Sequence, residues 1–237
     1  MRIRLFTILV LILVVACEEE TYLTFSESNF TSEEHAIVEV NMPLCDGNSE
    51  VASKINASIN SHVANSLNPL EKDPGSNSIE EMTKLFDKEF IAFSNDVSDV
   101  SQPWEAFVDG ELIYQSPEVI SIAFNAYKNT GGAHGNSVIS FLNFNPNDGE
   151  VYNLEDVVND LKGFTDLART YFLEEIKSTT ESSEIMVSSV IFLPEAIGVS
   201  DDGVILVYNS FELTDYSIPL LEFTIPFEEA SKFLKVD

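Results

Sequence analysis

The sequence predicts an α+β domain: an antiparallel sheet with helices packed on one face, and room for two intimately packed subdomains. Three observations carry this. His35–Met42 alternates, with Ala36, Val38, Val40 and Met42 on one side and His35, Glu39 and Asn41 on the other, the period of a half-buried strand. Val51, Ile55, Ile59, Val63 and Leu67 recur every fourth residue, the stripe of an amphipathic helix. Later strands follow one another through turns rather than through helices, which favours a mixed fold over a strictly alternating one.

The elements follow in order. Thr21–Phe30 is short and mixed, an edge strand. Asp46-Gly47 turns the chain after the alternating strand, so Cys45 ends it. On the helix that follows, His62 lies beside Val63 on the polar side, a surface position. Residues 68–77 form a loop, and Ser78-Ile79-Glu80-Glu81 reads as a capping box. The helix it opens buries Ile79, Met82, Phe86, Phe90 and Phe93. After a second loop, Trp104–Gln115, Val119–Lys128 and Asn136–Asn145 are three strands. In the middle one, Ile120, Ile122, Phe124 and Ala126 share a face. Asn145–Gly149 is a turn. Leu161, Phe164, Leu167, Ala168, Tyr171, Phe172 and Ile176 mark a third helix. Asp202-Gly203 suits a hairpin turn between Ala196–Val199 and Val204–Tyr208. Leu221, Phe223 and Ile225 alternate in a last strand, and Pro226 opens a short final helix, where its missing amide costs little.

The first residues bear on compartment. Arg2 and Arg4, an apolar run from Leu5 to Val15 and small residues before Cys17 make a secretory leader, too short to span a bilayer. Its end resembles the lipobox of bacterial lipoproteins, with Cys17 as the lipidated residue. The expectation is a chain anchored by acyl chains at Cys17 in the bacterial envelope, on the outer membrane, with its periplasmic or surface face left open. Glu18, Glu19 and Glu20 then read either as a solvated tether or as an export tag. If Cys17 carries lipid, Cys45 has no partner among the two cysteines, and a half-buried free thiol is expected.

Charge narrows the partners. Twelve basic residues face forty acidic ones in 237 residues, a net of −28. Such a chain is unsuited to nucleic acid, which needs a basic surface to displace counterions, so no nucleic-acid partner is expected. It suits cationic partners, although a solvated acidic surface alone also explains it.

Signs of catalysis are weak. The three histidines, His35, His62 and His134, are far apart in sequence, whereas a zinc hydrolase brings two histidines and a carboxylate together. No Gly-x-Ser-x-Gly elbow and no phosphate loop is present. Residues 144–150 fail the calcium-loop pattern, because Phe144 and Pro146 stand where acids are needed. No catalytic residue, metal or cofactor is assigned, and the reading leans away from an enzyme. Two stretches remain. Gly131, Gly132 and Gly135 surround Ala133-His134, and His134 either contacts a partner or locks the bend. Phe211, Glu212, Asp215 and Tyr216 combine rings with acids, either a contact for a basic protein or a cover for a sheet edge.

Several stretches also resemble a known pattern. Tyr127 followed by Gly131-Gly132-Ala133-His134-Gly135, the Asn147-Asp148-Gly149 turn, Leu154-Glu155-Asp156-Val157 and the closing Phe211-Glu212, Tyr216 and Ile225-Pro226-Phe227 are similar to a family of bacterial envelope proteins. That family pairs a PdaC-like N-terminal module with an RsiV-like C-terminal domain, long listed as domains of unknown function. A glycine of the family's pattern is missing near Ile218-Pro219. The first residues read as a signal peptide at 1–16 and a lipidated tether at 17–21, and the resemblance implies a PdaC-like module at 22–145 and an RsiV-like domain at 146–237. RsiV-like anti-sigma relatives bind lysozyme through this domain, and PdaC-like modules sit beside a separate deacetylase domain. The chain carries neither that catalytic domain nor a cytoplasmic anti-sigma segment, so neither function is expected to transfer whole. The expectation is an envelope lipoprotein that binds an extracytoplasmic ligand, with a cationic wall-active protein such as lysozyme the sharpest candidate. The alternative is an enzyme or accessory domain acting on peptidoglycan or another glycan.

Overall fold

A computed structural model describes residues 23–70, 75, 78–97, 102–179, 193–213 and 220–235. Cys17 and the leader, Asp215 and Tyr216 lie outside these described residues. No helix among them is long and apolar enough to cross a membrane.

The first half builds a five-stranded sheet in the order β1-β2-β3-β4-β5. Its strands are β1 (Phe25–Ser32), β2 (Ile37–Cys45), β3 (Glu105–Gln115), β4 (Ile120–Asn129) and β5 (Asn136–Phe144). Alternation does what the sequence predicts: Ala36, Val38, Val40 and Met42 are buried, while Glu39 is exposed. Between β2 and β3 run α1 (Glu50–Leu67) and α2 (Ile79–Asp96). The α1 stripe of Ile55, Ile59, Val63 and Leu67 is buried in one core with Met82 and Phe86 of α2 and with Val38, Val108 and Ile122 of the sheet. Side chains start both helices: Ser49 accepts from the Ala52 amide, and Ser78 from that of Glu81. Three of the four strand pairings are antiparallel, but β2 and β3 run parallel, Ile37 opposite Glu105. The physical reason is the two-helix crossover, which returns the chain to the end of the sheet where β2 began.

The second half is smaller. After the single turn α3 (Leu154–Val157), α4 (Leu161–Thr179) packs Phe164, Ala168, Phe172 and Ile176 into a second core. Opposite them lie Val204, Leu206, Leu221, Phe223 and Ile225 of a three-stranded antiparallel sheet: β6 (Ala196–Ser200), β7 (Gly203–Asn209) and β8 (Leu220–Pro226). A last helical turn, α5 (Phe227–Ala230), follows, with Pro226 as the residue before it. The β6–β7 turn falls one residue earlier than the sequence suggests. Ser200 pairs with Gly203, leaving Asp201-Asp202 at the tip, and Gly203 is already in the strand at φ +149°.

The two sheets meet through polar side chains. β6 crosses the face of the first sheet that the helices leave free. There Asn143 donates to the Ile197 carbonyl (2.9 Å), and the Ser121 hydroxyl accepts from the Val199 amide (3.1 Å). In return Asn209, 2% exposed at the end of β7, reads the outer edge of β5. It accepts from the Ile139 amide (2.8 Å) and donates to the Ile139 carbonyl (2.9 Å). Each sheet thus satisfies the other's unpaired strand edge, which a buried edge requires.

Candidate functional site

The glycine loop after β4 saddles the end of the first sheet. Gly131 adopts φ +83°, and a Cβ there would meet the Phe93 ring at 3.1 Å and Trp104 Nε1 at 3.2 Å, on the helical side. Gly135 lies against the Tyr127 ring on the other side, where a Cβ would collide with it. Tyr127 in turn stacks on Phe107 of the neighbouring strand, with centroids 5.7 Å apart and planes 11° from parallel. Two of the three glycines therefore let aromatic rings close on the backbone from opposite faces, whereas a Cβ at Gly132 would meet only the His134 carbonyl, at 3.7 Å. His134 sits exposed at the tip, and its Nδ1 donates to the Gly135 carbonyl (2.9 Å) within its own loop. A carbonyl only accepts, so that bond fixes the proton on Nδ1 and leaves Nε2 turned to solvent.

The ring-and-acid stretch divides. Phe211 is 54% exposed. Both carboxylate oxygens of Glu212 are engaged at home: Oε2 accepts from the Asn209 amide (2.8 Å) and Oε1 from the Glu195 amide (3.0 Å). Glu212 thus holds the end of β7 to the approach of β6. It is not displayed for a ligand.

The other two histidines also have defined places. His62, expected at the surface, faces the sheet instead. Its Nε2 lies 2.8 Å from the Ser140 hydroxyl, its ring is 4.7 Å from that of Phe124, and burial pushes its pKa down. The apolar stripe of α1 is bordered by a second row that still meets β5, so a polar residue on that row is covered. His35 is exposed and pairs with Asp87 of α2 (2.9 Å), and the same carboxylate accepts the His35 and Ala36 amides. With Glu34 these two form the one group among the described residues close enough to share a cation. Asp87 is already bonded to the start of β2, so the geometry reads as a docking of α2 on the sheet. The three histidines do not converge. Cys45 is fully buried rather than half-buried, and burial with Asp46 beside it raises its thiol pKa.

Sequence reasoning missed the open end of the sheet face. Past the stretch crossed by β6, strand alternation places Glu39 and Asn41 of β2, Glu105, Phe107 and Asp109 of β3, and Asn125 and Tyr127 of β4 side by side. Glu39, Asp109 and Asn125 are exposed, and the others are half-buried. Asn41 donates to Asp109 (3.0 Å), and its own carbonyl oxygen has no partner among the described residues. The five strands hold one basic residue, Lys128, and it points the other way. It donates to the Asn68 carbonyl at the end of α1 (2.6 Å), where burial lowers its pKa. The signal was present in the polar positions of each strand, but only the register brings them together.

Comparison with known proteins gives the fold a setting. Residues 30–137 match the family model described as deacetylase PdaC. The chain is similar in structure to a DUF3298-family member from Bacteroides fragilis (TM-score 0.67, 19% identity, 90% of this chain and 93% of that one). It is also similar to a DUF3298-family protein from Pseudomonas aeruginosa (TM-score 0.57, 16% identity, 90% and 94%). No curated protein matches it in sequence. The match to the PdaC family model therefore runs from the end of β1 through both helices to the start of β5, and across nine-tenths of its length the chain has the fold of DUF3298-family structures.

Proposed function

We propose that this protein is a binding module of the bacterial envelope, anchored by lipid at Cys17, that takes a basic protein on the open end of its first sheet. The observation that supports it is the open end itself. Carboxylates of Glu39, Glu105 and Asp109 surround the Phe107–Tyr127 pair, with no cation on that face of the strands. Rings supply contact area, and carboxylates steer and pair a cationic surface. The exposed Phe211 stands just past the end of β7, two residues beyond the Asn209 clamp on β5. Lysozyme is the sharpest candidate partner, through the resemblance to RsiV-like relatives. A second reading, an accessory module for glycan deacetylation, is favoured by the family match over 30–137.

Titration of the chain with a C-type lysozyme at near-physiological salt, beside a neutral protein of similar size, tests the proposal. Saturable one-to-one binding that Phe107→Ala or Glu39→Lys weakens supports it. Binding shared by every basic protein and abolished by modest salt would sink it.

A further inference from the structure

We propose that the open end of the first sheet reads arginine in particular, taking a guanidinium of its partner between the free face of Phe107 and the Asn41–Asp109 pair. This deepens the reading of that end as a contact for a basic protein and rests on it. Three observations place the guanidinium. The first is the ring. Tyr127 is held between the Gly135 backbone and Phe107, and it covers one face of Phe107, with centroids 5.7 Å apart and planes 11° from parallel. The other face of Phe107 therefore looks towards β2. There Glu39 is its direct neighbour, and Asn41 and Asp109 stand two residues further along on the same side. Phe107 is half-buried, and Glu39 and Asp109 are exposed, so a partner reaches this face.

The second observation is an unsatisfied acceptor. Asn41 donates to Asp109 (3.0 Å), which fixes its amide nitrogen towards the carboxylate and leaves its carbonyl oxygen out of that bond. That oxygen is covered and has no hydrogen-bond partner among the described residues. A covered, unpartnered acceptor destabilises the free chain, and a donor brought by a partner relieves it. Asn41 as a whole is only half-buried, so a donor arriving over Asp109 reaches it with a small turn of the amide. The third observation is charge. Glu39, Glu105 and Asp109 have no ion pair among the described residues. The bond from Asn41 leaves the charge of Asp109 in place, and Lys128, the one basic residue of the five strands, bonds to the end of α1 on the other side. A guanidinium answers all three at once. It is planar and weakly hydrated, so it lies on a ring, and the donors along its edge span a carboxylate and a neighbouring carbonyl. A lysine ammonium is compact and strongly hydrated. It answers the charge, but not the ring and two acceptors together.

The test titrates the full chain with two capped peptides of equal charge, acetyl-tetraarginine amide and acetyl-tetralysine amide, and with a C-type lysozyme, all at near-physiological salt. The arginine peptide is expected to bind about tenfold more tightly than the lysine peptide. Phe107→Leu and, separately, Asp109→Asn should bring the two peptides close to equal affinity, and each variant should keep a cooperative urea transition. Glu34→Gln removes the same charge on the helical side of the sheet and should keep the preference. Equal affinity of the two peptides for the parent would overturn the inference and leave a basic partner open. So would a preference undiminished in both open-end variants, or one lost in Glu34→Gln as well. Lysozyme binding without binding of either peptide would overturn it in the same way. If neither the peptides nor lysozyme bind, the inference fails together with the reading it rests on.

Discussion

The two ends of one sheet face make the most informative comparison in this molecule. Both belong to the same strands, yet one end is covered by β6 and the other is open. At the covered end stand Ser121, Ala123, Phe141 and Asn143, small or uncharged side chains that can meet a backbone. Phe141 closes on Gly198, where a Cβ would collide with its ring. At the open end stand Glu39, Glu105 and Asp109, whose desolvation would be costly without partners. Side-chain charge thus parts most of the two ends, although Glu111 of β3, opposite Ala123, stays exposed beside the covered stretch. The difference also says where to expect stability and where to expect recognition.

Five substitutions, in four tests, break or sharpen this contrast, from the largest expected effect to the smallest. Asn209→Ala leaves the half-buried amide and carbonyl of Ile139 without their buried partner. It should lower stability by about 2–4 kcal/mol, read as a drop in the urea midpoint at unchanged slope. Gly198→Ala forces the Phe141 ring to move and should cost roughly 1–3 kcal/mol in the same assay.

The third concerns pH. His62 has its pKa lowered from an ordinary 6.5 by burial, so on acidification the unfolded chain takes up this proton before the folded one does. Its stabilising share is complete above that ordinary value and is lost as pH falls through it towards the folded pKa. The urea midpoint of His62→Gln should therefore fall less between neutral and mildly acidic pH than that of the parent. An equal fall would mean that His62 is not the group responsible.

Smallest of all, Glu39→Lys or Asn125→Lys at the open end should change stability by no more than about 0.5 kcal/mol. Either should nonetheless weaken capture of a basic partner. If a lysine at the open end destabilised the fold as much as Asn209→Ala, the division between a structural end and a recognition end would fail.

Much of this architecture was legible in the residues. The α1 stripe, the serine that caps α2 and the alternation of β2 each depend on neighbours within one or two turns, and all three stand where spacing put them. Features that depend on distant partners were not legible. Asn209 in a Tyr-Asn-Ser stretch resembles a turn residue, and only the arrival of β5 makes it a buried clamp. His62 looked solvent-facing because nothing in α1 announces that β5 will cover its flank. Glu212 looked like a displayed acid, but its oxygens cap two local amides. The open acidic face went unseen for the same reason, since its members come from three strands, one of them paired in parallel.

That parallel pairing also has a consequence in time. β1 and β2 form a hairpin, and β3, β4 and β5 form a meander; both can assemble from near neighbours in the chain. Joining the two halves at Ile37 and Glu105 closes a loop of about seventy residues, an entropic demand that local contacts do not face. The helices α1 and α2 lie inside that loop and shorten it as they form. The seam between β2 and β3 should therefore be the last part of the first sheet to close. Truncations at Val38 and Val108 should then speed unfolding more than they slow folding, while truncation at Ile122 in the meander should slow folding.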